Sequence, residues 1–151
     1  MTHAEDLRRW AKGTYTTEAA TELLLRAFNG RFAEPECPWI HPPGLHARAR
    51  PTSRGSISVR WLTTPNEALS PGGEERFLLL AASLGGEVHL NLAHVLAGMD
   101  RARTDLILAA VSHATGSHDH PGITVGADGT PSFSGLPTTL YPWPGDDDQA
   151  H

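Results

Sequence analysis

The chain has 151 residues, 39% of them apolar, and a formal charge of −5 at neutral pH. That length suits one domain around one hydrophobic core and is short for two. An acidic total argues against non-specific nucleic-acid binding as the main activity, because neutralising phosphates requires a basic face.

The charge is unevenly spread. Residues 116–151 hold five acids and no Lys or Arg, and are rich in Gly and Pro. Such a segment buries too little apolar surface to offset its ordering entropy, so the composition predicts a helical domain over 1–115 and a disordered acidic tail over 116–151. Arg outnumbers Lys eleven to one, a bias that points to GC-rich coding before guanidinium chemistry. The single cysteine excludes an internal disulfide. No leader-like opening and no apolar run near the roughly 18–20 residues of a membrane span is present, so a cytoplasmic chain without membrane contact is expected.

Taken in order, Ala4 to Ala11 reads as a short amphipathic helix, with Leu7, Trp10 and Ala11 on one side and Gly13 ending it. A second helix follows, capped by Thr16 or Thr17, with Glu18 in its positive first turn and a stripe of Ala20, Leu23, Leu24, Ala27 and Phe28. Asn29-Gly30 stops it. From Arg31 to Thr64 the helical period is lost among prolines. There Ile57, Val59 and Trp61 alternate with polar residues as a half-buried strand does, and Pro38-Trp39-Ile40-His41 is the partner expected for a short ribbon.

Ser70 to Leu84 is the most apolar run and predicts the central helix, with Ser70 as cap and Pro71 at the first helical position. Asn91 opens a short helix through Leu92, Val95 and Leu96, and Asp100 caps the last one, whose apolar face includes Ala102, Leu106, Ile107, Ala109, Ala110, Val111 and Ala114. The fold class is therefore mainly α: a small domain of about five helices with one short β ribbon.

The segments TTEAATELLLRAF, GRFAEPECPWI, LSPGGEERFLLLAASLGG and VLAGMDRARTDLILAAVSHATG resemble an uncharacterised group of small actinobacterial conserved hypothetical proteins, over residues 6–118. The resemblance implies a single domain in a bacterial cytosol and no activity, ligand or cofactor. Leu69 to Glu74 is also similar to the signature loop of ABC-type ATPases. Pro71 interrupts that pattern, and the only lysine, Lys12, follows no glycine-rich loop, so no phosphate-cradling P-loop exists.

Candidate chemistry is sparse. Cys37 and His41 suggest a thiol nucleophile, but Glu36 beside the sulfur disfavours the thiolate. Glu74 and Glu75 suit the positive end of the central helix, and His89 and His94 the edge of a core. His113, His118 and His120, with Asp119 among them, carry imidazoles close enough in sequence to ligate zinc, nickel or copper. From Cys37 to Asn66 there are four arginines, two tryptophans and no acid.

These residues order the readings. First is a non-enzymatic protein-interaction module without a cofactor, using Trp39, Arg48, Arg50, Arg54, Arg60 and Trp61 against a protein partner. Second is a nucleic-acid accessory protein using the same arginines on phosphates and the tryptophans for stacking. Third is a metalloprotein centred on His113, His118 and His120. The opposite charges of tail and Arg-rich loop also predict that the two meet.

Overall fold

Helix α1, His3–Ala11, begins at a capping box in which the Thr2 hydroxyl accepts from the Glu5 N–H and the Glu5 carboxylate accepts from the Thr2 N–H. The computed structural model describes residues 2–41, 56–57, 72–86, 88–119, 122–134 and 139–146. Leu7 and Ala11 are the buried side of α1, and Trp10 packs at the core margin.

Helix α2, Tyr15–Arg26, starts earlier than a Thr16 or Thr17 cap requires. Its N-cap is Thr14, which makes no side-chain capping bond. The Gly13 N–H instead donates to the Glu18 carboxylate at 2.8 Å, so a charged side chain from the first turn closes the α1–α2 corner. Beyond Arg26 the chain turns through Phe28, Asn29 and Gly30, all with positive φ (52°, 57° and 75°), inside a 3-10 stretch over Ala27–Ala33. Phe28 thus leaves the helix, yet its ring still packs edge-on against Phe32 and Phe77, with centroids 5.1 and 5.4 Å away.

Strand β1, Ile40–His41, pairs antiparallel with β2, Ser56–Ile57, in the register Ile40 to Ile57. This is the expected ribbon, although Val59 and Trp61 lie outside the described residues. Helix α3, Gly73–Gly85, buries Phe77, Leu78, Leu80, Ala81 and Ala82, and none of residues 77–85 is exposed, as expected of a helix surrounded by protein. The expected Ser70-Pro71 start lies outside the described residues, and Gly72 is the N-cap. Helices α4, Leu92–Leu96, and α5, Arg101–Ala114, begin where expected, with the Asn91 and Asp100 side chains accepting from the N–H groups of His94 and Arg103.

The hub is α2 rather than the expected α3. Helix α2 packs against α1, α3, α5 and the 3-10 stretch, burying Ala19, Ala20, Thr21, Leu23 and Leu24. Small residues at Ala19 and Ala20 let neighbouring helices approach α2 closely. On α5, Ile107, Ala109, Ala110 and Ser112 face inward, while Val111 is 47% exposed and leaves the expected apolar face.

After Gly116 the chain carries more structure than its composition suggests. A 3-10 turn, Ser117–Asp119, leads to a hairpin of β3, Gly122–Val125, and β4, Pro131–Ser134. Residues 139–146 then return over the helices. The Tyr141 N–H donates to Ser112 Oγ at 2.9 Å, the Tyr141 hydroxyl donates to Asp105 at 2.6 Å, and Arg26 grips Asp146 through both oxygens at 3.1 and 3.0 Å. Polar anchors and the single indole of Trp143 against the core, not a periodic apolar stripe, hold this segment, so periodicity does not reveal it. Asp146 meets Arg26 of α2; the Arg-rich loop expected to meet the tail lies outside the described residues. No helix among the described residues is long and apolar enough to cross a membrane.

Candidate metal centre

The corner between α1 and α2 brings the first turn of α2 against the last turn of α5. Glu18 Oε2 and His113 Nε2 meet there at 2.7 Å, each side chain 21% exposed. The 3-10 turn after α5 folds His118 back so that its ring stacks on His113, with centroids 4.3 Å apart and planes 17° from parallel. Nδ1 of His118 is shut off from solvent. One ligand atom from each of Glu18, His113 and His118 lies within 4.8 Å of the others, the one such group among the described residues.

Metal bonds of about 2.0–2.2 Å in a tetrahedral site separate ligand atoms by roughly 3.4 Å. Glu18 and His113 already lie closer than that, and the stacked ring of His118 must turn out of its parallel arrangement for its lone pair to converge with theirs on an ion. Two imidazoles and a carboxylate are a donor set suited to zinc and neighbouring divalent ions, and three protein ligands leave a coordination position open.

The surroundings orient the ligands. Gly13 N–H holds the second Glu18 oxygen at 2.8 Å. Tyr15 sets its ring edge-on to both histidines, with centroids 6.2 Å from His113 and 4.9 Å from His118, and its hydroxyl donates to Asp119. Trp143, carried by the returning C-terminal segment, lies 6.1 Å from the His113 ring. Carboxylate, amide and aromatic neighbours of this kind fix ligand orientation in metal sites. Burial alone would raise the Glu18 carboxyl, but the Gly13 N–H, the His113 ring and the charges of His113 and His118 outweigh it and hold it below its ordinary value.

Beside the cluster is a cavity of about 230 Å³ lined by Arg8, Ala11, Lys12, Glu18, Thr21, Glu22 and His113. Glu22 accepts from Arg8 at 2.5 and 3.1 Å and from Arg26 at 2.8 Å, so its charge is neutralised within the wall.

Of the residues singled out in sequence, His113 and His118 come together as expected, and His120 lies outside the described residues. Among the described residues Glu18 completes the group. In the sequence it stands only as a partner of the helix dipole, and the available signal is positional: a carboxylate in the first turn of one helix and a histidine in the last turn of another meet if the two pack antiparallel. Trp39 is corrected from a partner-contacting residue to a core residue, because it is 3% exposed and its Nε1–H donates to the Phe32 carbonyl at 2.7 Å. Arg48, Arg50, Arg54, Arg60 and Trp61 lie outside the described residues. The Cys37 thiol donates to the Arg31 carbonyl at 3.3 Å, and burial, with the charges of Glu34 and Glu36, outweighs a backbone hydrogen bond at Glu34 and pushes its pKa up, against a nucleophilic role. Glu74 is paired with Arg31 at 2.9 Å.

No protein-family model, curated protein or solved structure matches the chain.

Proposed function

We propose that this protein binds a divalent transition metal of the zinc class through Glu18, His113 and His118. The observation that supports this reading is the convergence of three ligand atoms from α2, α5 and the following 3-10 turn within 4.8 Å, in a corner already ordered by other contacts. When bound, such an ion supplies Lewis acidity and an exchangeable coordination position. The chain's own residues do the rest: Gly13 and Tyr15 orient the ligands, and Glu18 and His113 open onto the adjoining cavity.

Isothermal titration of the untagged full chain with zinc tests the reading. One equivalent is expected, with binding lost in Glu18→Gln and in His118→Ala and kept in His120→Ala. Binding that is substoichiometric, or indifferent to Glu18 and His118, overturns it. Loss in His120→Ala with retention in Glu18→Gln returns the site to the three histidines.

A protein-interaction module is the second reading, supported by the β3–β4 hairpin rather than by Trp39. Ile123, Val125 and Phe133 are 62%, 68% and 71% exposed, and Ile123 and Phe133 are cross-strand neighbours. A two-stranded ribbon is marginal alone, and exposed apolar side chains grouped on one face mark contact surfaces. Sedimentation over a wide concentration range, with Phe133→Ser as control, tests self-pairing. A monomer throughout removes a second copy as the partner.

A further inference from the structure

The cavity next to the proposed metal ligands has walls of unequal chemistry. Arg8 and Glu22 neutralise each other at 2.5 Å, and Glu18 is engaged by Gly13 and His113. Lys12 is different: it is exposed, lines the cavity, and pairs with no carboxylate among the described residues. It is also the only lysine in the chain. A divalent ion added at Glu18 would give the cavity an excess of positive charge, with Lys12 and the ligands Glu18 and His113 in one lining.

We infer that the metal-loaded cavity takes a small oxyanion, a carboxylate or phosphate group held between the ion's open position and Lys12. The inference rests on the metal-binding reading above. Charge selects an anion, since an ammonium and a metal ion both favour anionic oxygen. Size selects a small one: about 230 Å³ is below the roughly 300–1,000 Å³ of sites for drug-sized molecules. The short side chains of Ala11 and Thr21, 3% and 1% exposed, are what leave that space beside the longer Arg8 and Lys12. Lys12 sits just past the end of α1, held by the bond from its N–H to the Arg8 carbonyl at 3.1 Å, so its stem starts from a fixed point of backbone.

The test uses the full chain loaded with cobalt(II), whose visible absorption reports its ligands. Acetate and inorganic phosphate are titrated separately into the wild type, Lys12→Met and Lys12→Arg. A saturable change in the cobalt band is expected, with half-saturation raised about three- to tenfold in Lys12→Met and near wild type in Lys12→Arg. The anion that saturates at lower concentration identifies the oxyanion class. A cobalt band that neither anion alters, or titrations identical in wild type and Lys12→Met, overturns the inference and leaves the metal site standing. Absence of any cobalt band in the wild type overturns both.

Discussion

Glu18 and His113 stand 95 residues apart in the chain and meet at 2.7 Å where the first turn of α2 touches the last turn of α5. The contact joins the positive end of one helix to the negative end of another, each side chain also complementing its own helix dipole. An ion held by both would take over the hydrogen-bonding role each now plays for the other, with the two ligand atoms moving apart from 2.7 Å.

That geometry sets the cost of each substitution on metal binding. Neighbours that only orient a ligand are worth about 10–100-fold in affinity, so loss of a ligand exceeds that. Glu18→Gln is expected to weaken zinc binding by more than about 100-fold, and Tyr15→Phe, which loses only the hydroxyl bond to Asp119, by about tenfold. Competition titration against a zinc chelator ranks the two. Equal losses would mean that Tyr15 acts on folding and not on ligand orientation, which a thermal melt of the metal-free variants separates.

Glu22 controls an acid limb of stability. Burial alone would raise its carboxyl, but hydrogen bonds and charge from Arg8 and Arg26 outweigh this and place it below the ordinary glutamate value. Its folded pKa is therefore below its unfolded one. The resulting stability is complete above the unfolded value of about 4.3 and is lost as pH falls through the folded value. With its side chain 13% exposed, Glu22→Gln should cost about 1–3 kcal/mol at pH 7. In denaturant titrations the gap between the two proteins should narrow below about pH 4. A gap that stays constant down to pH 3 refutes the assignment.

Trp39 is expected to act through the core. Replacing it by Phe removes the bond to the Phe32 carbonyl and leaves that acceptor buried, at about 1–3 kcal/mol; replacement by Ala should cost about 3–5 kcal/mol. Denaturant midpoints measure both. A Trp39→Ala protein with an unchanged midpoint would place the indole outside the core.

Gly30 closes the left-handed run that ends α2. At φ +75° an added Cβ meets the Leu25 carbonyl oxygen at 3.2 Å. Gly30→Ala should lower stability by about 1–2 kcal/mol, the ordinary cost of this backbone region for an L residue. Asn29→Gly removes such a cost and should leave stability equal or slightly raised. A clear loss for Gly30→Ala beside none for Asn29→Gly in thermal melts is the expected signature.

How far this protein was legible in its sequence depended on the range of the interaction. Asn91 and Asp100 announce α4 and α5 because a cap acts on amides two or three residues away. The apolar run ending at Leu84 announces a surrounded helix, and the alternation at Ile57 announces the strand that meets Ile40. The C-terminal segment was hidden for the complementary reason: Asp146 is held by Arg26, and Tyr141 by Asp105 and Ser112, partners far away in sequence. No local pattern records such pairings.

By itself the sequence determined the mainly helical class and most helix ends, which follow from contacts within a turn or from the period of apolar residues; that Ile40 meets Ile57 and that the His118 ring stacks on His113 were decided by the fold. Tertiary structure alone decided that α2 is the hub, that Trp39 is core, and that Glu18 stands beside His113. Which faces of two helices meet is set by the packing of the whole set of side chains, and a ligand set drawn from three elements exists only after that packing is complete.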